Sequence, residues 1–147
     1  MSMNPLIDVL QQNKYLRSKA EVMAFDRALA MLAQSPKEED LLPLHGVFVD
    51  DCQHQEVMYG LVHFLESFDM KRQLTAFLEA VPTMSIQAPE WTKILHCRIL
   101  NDDASRECFK KLYQPATPAA KEAVKAVLLK IQADDTEFSA RVRQLVA

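Results

Sequence analysis

Apolar residues recur along this chain at three- and four-residue spacing, and strict alternation is nearly absent, so the pattern predicts helices from end to end. The most distinctive instance is residues 50–69, which read as one amphipathic helix with an acidic entrance and exit. Laid out at about 100° per residue, Val57, Met58, Leu61, Val62, Phe64, Leu65 and Phe68 fill one side. Glu56, Tyr59, His63 and Glu66 fall within an arc of roughly 80° on the other. The apolar side requires neighbours, and the rest of the chain supplies them.

Start and stop signals divide those neighbours into short elements. Asn4 followed by Pro5 opens a helix through Leu6, Val9 and Leu10. Ser18-Lys-Ala-Glu21 has capping-box spacing and starts a helix with Val22, Phe25, Leu29 and Leu32 on one face. Ser35-Pro-Lys-Glu38 repeats that signal, although Pro43 leaves the third element open between a turn with a short helix and a helix with proline in its first turn. Leu44, Val47 and Phe48 are its expected core contacts. Asp69 is placed to cap a helix carrying Met70, Leu74, Phe77, Leu78 and Val81, and residues 82–89 read as a connector between prolines.

Pro89 then opens a helix with Trp91, Ile94, Leu95, Arg98 and Ile99, which Asn101-Asp-Asp ends before Cys108, Phe109 and Leu112. Gln114-Pro-Ala-Thr-Pro118 is the clearest linker. Thr117 caps a helix striped by Val124, Val127, Leu128 and Ile131, and Asp134-Asp-Thr-Glu137 starts a last one through Phe138, Val142 and Leu145. The expected fold is all-α, a compact array of roughly eight to ten short helices in a bundle or irregular stack. Residues 1–147 are read as a single helical domain, with a core over about 5–113 and a helical pair over about 117–147, since so short a pair is too small to hold its own core.

Composition narrows the class. Glycine is confined to Gly46 and Gly60, too few for hairpin-rich folds or a dinucleotide-binding loop. A net charge of −3 argues against nucleic-acid binding through a broad basic surface. No apolar run approaches the ~20 residues that span a bilayer, and the N-terminus lacks the basic and apolar regions of a signal peptide. Cys52, Cys97 and Cys108 form no Cys-x-x-Cys pair and read as free thiols, which points to the cytoplasm.

Candidate chemistry is sparse. His63 and Glu66 stand one turn apart, as in a carboxylate-bridged metal site, but no second Glu-x-x-His supplies the facing half, so no metal and no cofactor is expected. Cys52 beside Asp50 and Asp51 has the wrong neighbours for a nucleophile, because negative charge disfavours the thiolate. No catalytic residues are assigned. Trp91, Arg98 and Asp102 are expected to be structural: Arg98 lies within an apolar stripe and needs a carboxylate, either Asp102 one turn on or Glu66 from the 50–69 element. The polar stripe reads either as a solvated helix face or as a docking surface. On the second reading Asp50, Asp51 and Asp69 extend its negative field toward a basic partner.

The string Val47-Phe-Val-Asp-Asp-Cys-Gln-His-Gln-Glu-Val-Met-Tyr-Gly-Leu-Val-His-Phe-Leu-Glu-Ser-Phe-Asp69 resembles the central motif of the immunity protein 30 family. Ala88-Pro-Glu-Trp91 with Arg98-Ile-Leu-Asn-Asp102 is similar to its second motif. The resemblance spans about residues 41–113 and picks out Asp50, Asp51, His54, Glu56, His63, Glu66, Trp91 and Arg98. It implies a cytoplasmic, non-catalytic antidote encoded beside a polymorphic toxin, which neutralises the cognate toxin C-terminal domain by stoichiometric binding. Neither a nucleic acid nor a membrane is expected as partner. The expected docking residues are Asp50, Asp51, Glu56, Tyr59, His63, Glu66 and Asp69. A helical adaptor for an endogenous protein is the alternative, and a small metal-dependent hydrolase using His63 and Glu66 a further one.

Overall fold

A computed structural model describes residues 4–146; residues 1–3, part of the N-terminus weighed above as a leader, and residue 147 lie outside it. Its helices are α1 (Pro5–Asn13), α2 (Lys19–Gln34), α3 (Leu41–His45), α4 (Gln55–Glu66), α5 (Met70–Gln87), α6 (Pro89–Leu100), α7 (Asp103–Tyr113), α8 (Pro118–Asp134) and α9 (Ser139–Val146). Short 3-10 turns at Glu38–Asp40 and Thr136–Phe138 precede α3 and α9, and no strand occurs among the described residues. The fold is all-α, as the periodicity predicts.

The longest helix, α5, packs against α3, α4, α6, α7 and α8. It runs straight through the region read as a connector, with Pro82 inside it. An interior proline removes one helical hydrogen bond and costs ~3 kcal/mol. The buried stripe of Leu74, Phe77, Leu78 and Val81 continues beyond it through Met84, so burial on both sides of the proline offsets that cost.

Local caps set most helix starts. Ser18 Oγ accepts from the Glu21 amide at 3.2 Å, but the Glu21 carboxylate returns to the Arg17 amide at 2.9 Å rather than to Ser18. That bond holds the Glu21 carboxyl below its usual range. Ser35 ends α2 instead of starting a helix, and Asp135, not Asp134, caps the turn before α9. Asp134 remains at the end of α8, where it pairs with Lys93.

Residues 50–54 do not join the helix assigned to 50–69, which begins only at Gln55. They form a loop tied to the α1–α2 turn: the Gln53 amide donates to the Tyr15 carbonyl at 2.8 Å, and His54 Nδ1 to that of Leu16 at 2.9 Å. Leu16 has a φ of 51°, a left-handed conformation costing a leucine about 1–2 kcal/mol. Its fully buried side chain and the His54 bond keep it there.

One buried cluster joins the whole array, from Ile7 and Leu10 in α1 to Val142 and Leu145 in α9. Within it α8 packs on α5 and α6, while α9 packs on α7 and α8.

Candidate functional site: the seam between α4 and α6

The apolar side of α4 is buried through Met58, Leu61, Val62, Phe64 and Leu65, which turns Glu56, His63 and Glu66 to the surface. Tyr59 is half-buried because its ring meets the edge of Trp91, with centroids 5.0 Å apart at 70°. Further along, Arg98 Nε and Nη2 donate to the two oxygens of Glu66 at 2.8 and 2.7 Å. Both pairs, Tyr59 with Trp91 and Glu66 with Arg98, are separated by 32 positions, so α4 and α6 run parallel and in register.

Arg98 therefore leans out of the apolar stripe that holds Trp91, Leu95 and Ile99, its side chain 39% exposed, and its partner is Glu66 rather than Asp102. The Glu66 carboxylate raises the guanidinium pKa above its ordinary value, and nearby Tyr59 adds a smaller share. Asp102 instead caps α7, accepting from the Ser105 amide at 2.9 Å and from Ser105 Oγ at 2.7 Å. Those bonds hold its carboxyl below the usual range.

The start of α6 reveals what Asp50 does. Ala88, the residue before this helix, has no capping side chain. The Asp50 carboxylate fills that role from 40 residues away, accepting from the amides of Glu90 at 3.0 Å and Trp91 at 3.2 Å. Trp91 is thereby seated in the core, 1% exposed, between Phe48 and Tyr59. Cys52 lies buried beside it; burial pushes its thiol pKa up, the Trp91 indole works against that rise, and Asp51 and Asp50 add a little to it.

Asp69 caps α5 by accepting from the Arg72 amide at 3.1 Å. Of the carboxylates assigned to the docking face, Asp50 and Asp69 thus serve helix starts and Glu66 serves Arg98. Asp51 and Glu56 are exposed and carry no ion pair among the described residues. Cations border the face on the far side of the 50–54 loop, where Lys14 and Arg17 lie over the Tyr15 ring at 5.7 and 5.2 Å.

Past the Glu66–Arg98 pair the seam opens into a groove of about 460 Å³. Buried Leu74 and Ile99 line it together with the more exposed Met70, Asp102 and Ser105. Sequence reading missed it because its residues come from four helices. It also missed His45 and His96, both buried against Phe77 with ring centroids 5.8 and 4.9 Å from it. Each donates from Nδ1 to the carbonyl four residues back, Leu41 or Thr92, at 2.7 Å. Burial lowers both pKa values to about 4, so the rings are neutral near pH 7.

Among the described residues no group of three or more His, Cys, Asp and Glu side chains could hold a metal ion. No described helix is long and apolar enough to cross a membrane.

A family model, Immunity protein 30, matches residues 12–109. The chain belongs to the immunity protein 30 family. The match encloses both the α4–α6 seam and the groove, and starts well before the 41–113 span of the motifs. It takes in α2 and stops within α7, leaving α8 and α9 beyond it. Membership in this family supports a role in toxin immunity and, with it, a non-enzymatic one. No curated protein and no solved structure matches the chain.

Proposed function

We propose that this immunity protein 30 member neutralises a cognate toxin C-terminal domain by tight stoichiometric binding in the cytoplasm of the cell that makes both. The observation that carries this reading is the family match over the segment that builds the seam. The outward side of α4 and the loop before it form the docking face, and their uncommitted charges, Glu56 and Asp51, supply the attraction. Carboxylates with no internal ion pair are available to a basic partner without breaking a structural contact. Tyr59 and His63 lie beside them as amphipathic contact groups.

The toxin is a polymorphic-toxin domain used in bacterial competition, with a cationic substrate site. The acidic face covers that site and blocks substrate entry. Long-range attraction accelerates encounter, and the aromatic contacts slow release.

Co-expression of the toxin domain encoded beside this chain tests the reading. The unmodified protein is expected to protect the host cell. Asp51→Lys with Glu56→Lys is expected to slow association about 10-fold at low salt, with a melting temperature lowered by only a few degrees, the cost of a cation in the first turn of α4. Full protection and an unchanged association rate in that variant would remove α4 as the docking face. Failure of the unmodified protein to bind or protect would remove the toxin reading itself.

A further inference from the structure

We infer that the groove beyond the Glu66–Arg98 pair is an anchor pocket for one basic side chain, an arginine or lysine, of the toxin domain. The inference rests on the toxin-binding reading above and specifies where and by what chemistry the partner is held. Three observations lead to it.

The groove adjoins the docking face directly, since Glu66 belongs both to the outward side of α4 and to the groove wall. Its floor is apolar: Leu74 and Ile99 are buried beneath it, and Met70 is 39% exposed along one side. An aliphatic stem fits such a floor while its charged head reaches the rim.

The rim carries two carboxylates against one cation. Arg98 spends Nε and Nη2 on the two oxygens of Glu66, so the pair is neutral toward a visitor and Asp102 supplies the rim's net negative charge. Asp102 Oδ2 takes both Ser105 bonds, leaving Oδ1 with no hydrogen-bond partner among the described residues. A cationic head beside Asp102 Oδ1 completes the charge balance, whereas a carboxylate there would meet a like charge.

The test uses the full chain and the toxin domain encoded beside it, with dissociation constants measured by titration calorimetry. Met70→Lys places a competing ammonium on the groove wall and is expected to weaken binding about 100-fold. Met70→Glu, at the first position of α5 where a carboxylate suits the helix end, is expected to keep or improve affinity. Asp102→Asn preserves the cap, because asparagine caps as well as aspartate, and is expected to weaken binding about 10-fold with little change in melting temperature. Ile86→Lys, 83% exposed at the far end of the same helix, is the control and leaves affinity unchanged.

Unmodified affinity in both Met70→Lys and Asp102→Asn overturns the pocket while leaving toxin binding intact. Tighter binding by Met70→Lys overturns it too, because the occupant would then be acidic. Absence of binding by the unmodified protein overturns the parent reading and takes this one with it.

Discussion

Between α4 and α6 the gap is spanned by a ring edge on a ring and by a guanidinium on a carboxylate, two turns apart. The α8–α9 pair is attached differently, through the buried stripe of Val124, Val127, Leu128 and Ile131 and through Val142 and Leu145. Polar links to α8 and α9 exist, Lys93 to Asp134 and Arg141 to Asn101, but both lie at the surface. The seam is thus specified by geometry that only one register satisfies, whereas the C-terminal pair is held by apolar area that tolerates small shifts. Charge divides along a different line, one that separates α4 from α6. Residues 1–69 carry 11 acidic and 5 basic side chains, a net of −6, and residues 70–147 carry 9 and 12, a net of +3. The negative half is the one that contains α4, and the helices beyond the family match are held by burial.

The largest expected effect comes from removing the second region. Deleting residues 115–147 uncovers the sides of α5 and α6 that α8 covers. We expect the shortened chain to lose its cooperative unfolding transition in circular dichroism. A sharp two-state transition in that variant would make the C-terminal pair an accessory rather than part of the core.

Single core truncations come next. Trp91→Ala removes the side chain against which Phe48 and Tyr59 stack and is expected to cost about 3–5 kcal/mol in denaturant unfolding. Leu128→Ala, the corresponding test in α8, is expected to cost about 2–5 kcal/mol. A Trp91→Ala cost below that of Leu128→Ala would mean that the seam depends less on its aromatic contact than the geometry implies.

Acid comes third. His45 and His96 have folded pKa values of about 4 against about 6.5 unfolded, so the folded state binds fewer protons in that window. Stability is therefore full above pH 6.5 and declines as pH falls toward 4, by about 2 kcal/mol per histidine at pH 5. His96→Phe should flatten roughly half of that decline in a stability-versus-pH series, since His96 Nε2 is buried with no hydrogen-bond partner among the described residues and phenylalanine loses only the bond to Thr92. An acid limb as steep as that of the unmodified protein would acquit His96.

The smallest effect belongs to the Glu66–Arg98 pair. Both side chains are about 40% exposed, so solvent screens them, and a double-mutant cycle should give a coupling of about 0–1 kcal/mol despite the two short bonds. A coupling of several kcal/mol would place the seam's energy in its charges instead of its rings.

How much of this was legible beforehand depended on distance along the chain. Ser18 and Thr117 announced the starts of α2 and α8 because a cap bonds an amide only three residues on. The α4 stripe was legible because a helix repeats its burial every 3.6 residues. Ser35 misled, since its signal competes with the end of α2. Pro82 misled as well, because the packing that carries α5 past it comes from helices elsewhere in the chain. The groove had no signal at all: Glu66, Met70, Arg98 and Asp102 sit on different helices or at their ends.

Neighbouring residues alone make this chain helical, start most of its helices and choose the apolar side of each. Caps and periodicity act within one or two turns, and that range is written in neighbouring residues. Packing of distant segments, by contrast, lets Asp50 cap a helix 40 residues away and gives Arg98 to Glu66 rather than to Asp102. It also decided that two histidines are kept neutral in the core. Those outcomes follow from desolvation and close approach, whose energies depend on what the rest of the chain brings alongside.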